Sequence, residues 1–135
     1  MHRFLGSLLL AATIGLALAV GSAGAQAQDR PRWKESFQLY DTNRDGRIDR
    51  AEFQAWMVDI FFRFDREKKG YLTLADLQGR MRPEVFAAAN RKGDGKLRLN
   101  EFLNARFLDF EAMDVTGQGS VTIEEIEAYI RQAPR

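Results

Sequence analysis

The chain has 135 residues, with 20 Lys and Arg against 19 Asp and Glu, a formal net charge of +1 and no Cys. That length suffices for one domain or two very small ones. The even charge balance argues for neither nucleic acid nor a charged membrane as partner, and the lack of Cys rules out disulfides.

The first element is a leader. Met1 to Arg3 carry positive charge, Phe4 to Val20 form an uncharged apolar run, and small residues continue to Ala27. This pattern predicts a secretory signal peptide over 1–27, cleaved after Ala25 or Ala27. The apolar run is shorter than the roughly 20 residues of a spanning helix, which disfavours a retained anchor. The expectation is an exported protein of bacterial type, periplasmic or extracellular, with no membrane attachment after cleavage. Residues 28–135 then hold 19 basic and 19 acidic side chains, and neither His nor Cys. Ser–His, Cys–His and His–zinc chemistries are therefore absent, and no enzyme is expected.

Next, Phe37 and Tyr40 fall at helical spacing and lead into Asp41–Glu52, DTNRDGRIDRAE. This segment fits the loop pattern D-x-[DN]-x-[DN]-G with Glu at place twelve. A hard cation such as Ca²⁺ needs six to eight oxygens, and a loop of this kind wraps them around it. Asp41, Asn43 and Asp45 offer side-chain oxygens at places one, three and five. Gly46 permits the turn, Arg47 offers its backbone carbonyl, Asp49 follows at place nine, and Glu52 closes the shell. Ile48 at place eight is apolar, as a short bridge between paired loops requires.

Phe53, Trp56, Met57, Ile60, Phe61 and Phe64 then trace one amphipathic helix across the 12 residues before Asp65. Val58 and Phe62 fall opposite this stripe and are expected to be buried by a second layer, a partner-binding patch being the alternative. Asp65–Asp76 repeats the loop frame as DREKKGYLTLAD, but Lys69 puts an ammonium at place five. Gln78–Ala89 is a weak helical stretch broken or kinked at Pro83, with a fresh turn starting near Arg82. Asn90–Glu101, NRKGDGKLRLNE, carries Lys92 at place three and Arg98 at place nine. Asn100–Met113 reads as helix. Asp114–Glu125, DVTGQGSVTIEE, offers Asp114, Thr116, Gln118, the Ser120 carbonyl, Thr122 and Glu125, a possible second site with only two carboxylates. Ile123–Gln132 is again helical.

The four loops start 24, 25 and 24 residues apart and share more than glycine. Place six is Gly46, Gly70, Gly95 and Gly119. Place eight is Ile48, Leu72, Leu97 and Val121. A Phe precedes each loop by four residues: Phe37, Phe61, Phe86 and Phe110. From about Trp33 to Ile130 the chain resembles the EF-hand family, helix–loop–helix calcium binders such as calmodulin, with unusually short spacing. The resemblance implies an all-α array of four helix–loop–helix units over 28–135, with shared connecting helices and short β-bridges between loops. It also implies Ca²⁺ as ligand, in a buffering or structural role, or else in a sensor or adaptor that binds an unknown protein partner. Dockerins, exported calcium-loaded repeats of two loops, are a weaker comparison. Because a helix of 12 residues spans about 18 Å, loops one and two should lie at opposite ends. Pairing of loop one with loop three, and of loop two with loop four, is the expectation.

Overall fold

The computed structural model describes residues 32–132; the predicted leader and its cleavage sites lie outside the described residues. Helix α1 spans Trp33–Tyr40. Strand β1 (Ile48–Asp49) opens directly into α2, Arg50–Phe64. The apolar stripe read along α2 is buried throughout, from Phe53 to Phe64. At the front of α2, Asp49 Oδ1 accepts from the Glu52 N–H at 2.9 Å, and Glu52 Oε2 accepts from the Asp49 N–H at 3.0 Å. This reciprocal capping box satisfies two amides that a helix start leaves without intrahelical partners.

Beyond β2 (Tyr71–Leu72) the chain runs through turns rather than a helix. Gln78 and Gly79 take φ of 51° and 75°, a left-handed pair that no α-helix can include. Helix resumes only as α3, Pro83–Ala89, with Pro in its first turn and Arg82 extended before it. The weak helix expected from Gln78 is thus shortened to its second half, and loop two has no adjoining outgoing helix. Strand β3 (Leu97–Arg98) and α4 (Leu99–Met113) repeat the β1–α2 arrangement. Strand β4 (Ser120–Val121) and α5 (Ile123–Gln132) complete the described chain.

Each loop is joined to its incoming helix in one way. The amide at place one donates to the carbonyl of the Phe four residues earlier: Asp41 to Phe37, Asp65 to Phe61, Asn90 to Phe86 and Asp114 to Phe110, all at 2.8–3.0 Å. These four Phe side chains are also buried. The same residue therefore anchors the core and fixes where the loop departs.

The long helices α2 and α4 pack antiparallel. Phe53 at the start of α2 lies 5.0 Å, ring to ring, from Phe110 near the end of α4, and Phe61 lies 5.6 Å from Phe102. Antiparallel packing brings loop one beside loop four and loop two beside loop three. The strands pair accordingly: Ile48 opposite Val121 in β1–β4, and Leu72 opposite Leu97 in β2–β3. This corrects the expected pairing of one with three and two with four, while loops one and two do lie apart. The reason is connection length: only 13 residues join Asp76 to Asn90, and a short connection makes its flanking elements antiparallel neighbours.

Two further features depart from the sequence pattern. Phe62 is 55% exposed and Val58 only half-buried, so among the described residues no second layer covers that face of α2. Inside, Arg106 and Asp109 are fully buried and ion-paired, and the Tyr129 hydroxyl donates to Asp109 at 2.6 Å, tying α5 to α4. Burial pushes the Asp109 carboxyl up to about 7, against the pull of Arg106 and Tyr129. Phe53→Ala removes a side chain held between two aromatic rings and should lower unfolding stability by about 3–5 kcal/mol. Phe62→Ser should change it by less than about 0.5 kcal/mol. Urea unfolding of the two variants, read by circular dichroism, checks both.

Candidate metal centre

Loop one is built from its own backbone outward. Asp41 Oδ1 accepts from the Asp45 N–H at 3.2 Å and Oδ2 from the Gly46 N–H at 2.9 Å. The Asp45 N–H is shared with Asn43 Oδ1 at 3.2 Å, and Asp45 Oδ1 accepts from the Arg47 N–H at 2.9 Å. Asx-type bonds of this kind curl the segment around Asp41. At the far end, Glu52 Oε1 accepts from the Thr42 N–H and hydroxyl at 3.0 and 2.9 Å, while Oε2 holds Asp49. Glu52 thus closes the loop from place twelve onto place two. Asp41 and Glu52 are buried; Asn43 and Asp45 are exposed.

The turn needs left-handed backbone at two places. Gly46 at place six has φ 77°, where an L side chain would be strained. Place four is also left-handed in every loop: Arg44 at 57°, Lys68 at 54°, Gly93 at 65° and Gly117 at 67°. Sequence reasoning singled out place six and missed place four, although glycine at that place in loops three and four was the available sign.

The other loops repeat this frame but differ in their charges. In loop two, Asp65 accepts from the Lys69 and Gly70 amides at 2.9 and 2.8 Å. The Lys69 ammonium, however, donates to Asp76 Oδ2 at 2.8 Å, place five bonded to place twelve. Burial pushes the Asp76 carboxyl up, but Lys69 with the Thr73 amide and hydroxyl outweighs it and holds Asp76 below the usual carboxylate range. In loop three, the Asn90 amide, oriented to satisfy both neighbours, accepts from the Gly95 N–H at 2.8 Å and donates to Asp94 at 3.1 Å. Arg98 lies 2.9 Å from Asp94 and 3.7 Å from Glu101. Asp94 is held low first by the Lys96 N–H and then by Arg98. In loop four, Asp114 accepts from the Gln118 and Gly119 amides at 3.0 and 2.7 Å. Glu125 accepts from the Val115 amide and from the amide and hydroxyl of Thr122. Asp114 and Glu125 are only half-buried, and Thr116 and Gln118 are exposed, so loop four is more open than loop one.

Loop one is set apart by what does not touch it. Among the described residues, no Lys or Arg ion pair reaches Asp41, Asp45, Asp49 or Glu52. Among the same residues, no three His, Cys, Asp or Glu side chains are gathered as a ready metal cage; the carboxylates instead face backbone amides. Each carboxylate has about four acceptor positions, so these bonds leave lone pairs for a cation. The donor set is all oxygen, as a hard divalent cation requires.

A helix, a loop of clustered oxygen donors and a second helix define a cation-binding helix–loop–helix. Residues 32–60 match the family model described as EF hand domain, a stretch that spans α1, loop one and most of α2. An EF-hand implies binding of Ca²⁺. No curated protein matches the chain.

The Lys69–Asp76 pair has a consequence that can be measured. A carboxyl held low in the fold stabilises it above its unfolded pKa, and this contribution is lost as pH falls through the folded value. Lys69→Ala should therefore lower metal-free stability at neutral pH, with the difference from wild type disappearing in acid. It should add no strong Ca²⁺ site, because place five then carries no oxygen. Chelator-treated melts against pH, with calcium titration of the variant, test both statements.

Proposed function

We propose that the protein is an exported calcium-binding protein in which loop one holds the ion for a buffering or structural role. Asp41, Asn43, Asp45, the Arg47 carbonyl, Asp49 and Glu52 supply the oxygens, and the bound ion neutralises the carboxylates that the loop concentrates. The observation that carries this reading is the contrast between loops. Among the described residues, loop one alone presents its acidic groups without a Lys or Arg ion pair to any of them, and it buries the two that bracket it. The four repeated loops, their shared left-handed turns and their paired strands support an array of four EF-hand units, two of them scaffold hands silenced by Lys69 and Arg98. Loop four, with Asp114, Thr116, Gln118, the Ser120 carbonyl, Thr122 and Glu125, is the second candidate site.

Export rests on the leader pattern over 1–27. Outside the cytoplasm, hands with affinities of about 10⁻⁴–10⁻³ M are useful, which suits a single loop of this kind. The reading includes no catalytic step, no nucleic acid and no membrane attachment once the leader is removed. A second reading, a calcium-dependent adaptor for a protein partner, draws support from exposed Phe62 and the shallow groove lined by Ala51, Gln54, Ala55, Val58 and Asp59 on the outer face of α2. Binding of an apolar dye that rises on calcium addition would favour the adaptor; an unchanged signal favours the buffer.

Calorimetric Ca²⁺ titration tests the primary site. Asp41→Ala should abolish binding at loop one. At a calcium concentration about a hundredfold above Kd, wild type should gain about 2.7 kcal/mol of stability, and Asp41→Ala none. Full calcium binding by Asp41→Ala would overturn the assignment.

A further inference from the structure

Arg47 belongs to loop one by sequence and to loop four by position. Its amide and carbonyl are part of loop one, at place seven. Its guanidinium crosses the β1–β4 pairing: Nε donates to Ser120 Oγ at 2.7 Å, and Nη2 donates to Gln118 Oε1 and lies 4.0 Å from Glu125 Oε1. Gln118 and Glu125 are places five and twelve of loop four, two of its candidate ligands. The contact exists only because loop one pairs with loop four, with Ile48 opposite Val121 and Asp49 opposite Ser120.

The same two places are bridged in loop two, where Lys69 reaches Asp76, and a cation reaches place twelve in loop three through Arg98. Loops two and three draw this cation from their own sequence. Loop four has none: no Lys or Arg lies between Asp114 and Glu125. Its place is taken by a cation from the paired loop.

Resting on the reading of loop one as the calcium loop, we infer that Arg47 is a resident cation of loop four and closes that loop to Ca²⁺. The guanidinium uses the acceptor oxygen of Gln118 and stands beside the Glu125 carboxylate. A divalent cation there would meet its charge at close range in a loop with only two carboxylates among its ligands. Loop one escapes this effect because its own Arg47 side chain points away from it, into loop four. The chain accordingly takes up about one calcium ion, in loop one.

The experiment is calorimetric Ca²⁺ titration of the full chain and four variants: Asp41→Ala, Asp41→Ala/Glu125→Gln, Asp41→Ala/Arg47→Gln and the triple variant that adds Glu125→Gln to the last. Asp41→Ala should bind no calcium. Asp41→Ala/Arg47→Gln should gain about one ion per chain, and adding Glu125→Gln should remove it. Full binding by Asp41→Ala that Glu125→Gln does not diminish would sink the loop-one assignment. Residual binding in Asp41→Ala that Glu125→Gln removes, with Arg47 in place, would show loop four open and overturn the Arg47 role alone. So would a folded Asp41→Ala/Arg47→Gln that binds nothing. Should that double variant fail to fold by circular dichroism, Arg47→Gln alone is titrated while the Gly119 amide resonance is followed by NMR. Calcium should shift that resonance in Arg47→Gln and leave it in place in wild type; no shift in the variant overturns the inference.

Discussion

Twelve residues separate the end of loop one from the start of loop two, and they form a helix that both loops must share. A rod of that kind fixes the direction in which each loop leaves it and keeps the two loops at opposite ends. The same holds for α4 between loops three and four. Two such rods have few ways to pack. Their antiparallel contact through Phe53 and Phe110, and through Phe61 and Phe102, decides which loops become neighbours. The apolar residues at place eight then meet across that contact and are fully buried: Ile48 with Val121, and Leu72 with Leu97.

The loops show how one backbone frame is kept while its electrostatics change. The left-handed turns at places four and six recur in all of them. So does the Phe whose carbonyl holds the first amide. The residues at places nine and twelve also cap the following segment, fully in loop one and loop four, and between Thr73 and Asp76 in loop two. Carboxylates at place twelve thus have work to do in the fold whether or not an ion is present. The loop frame is therefore kept where an ammonium or guanidinium, rather than backbone amides alone, meets the carboxylate at place twelve, as in loops two and three.

Much of the fold was legible before any coordinates. The helix from Phe53 to Phe64 follows from periodicity alone, because a stripe at helical spacing can be buried only on one face of a helix. The loop frame was legible because chelation and tight turning demand particular residue types at particular places. Where the reading failed, the outcome rested on chain direction or on which elements pack together, which helical spacing does not encode. Phe62 looked like a residue for a second buried layer, yet burial depends on which element covers it, and none of the described elements does. Gln78 and Gly79 looked helical in part, yet the turn that redirects the chain toward loop three claims them. The order of loop pairing followed from rod direction, which hydrophobic spacing does not encode.

The sequence by itself determined the loop register, the oxygen-bearing side chains along each loop and the shared helices, since each depends on residues within a few positions of one another. Tertiary structure alone decided which loops face each other, and therefore where the Arg47 side chain goes. Its place-seven position says only that its backbone belongs to loop one. That its guanidinium rests on Gln118, Ser120 and Glu125 is a matter of packing, because an arginine side chain reaches whatever the antiparallel helices bring within its length.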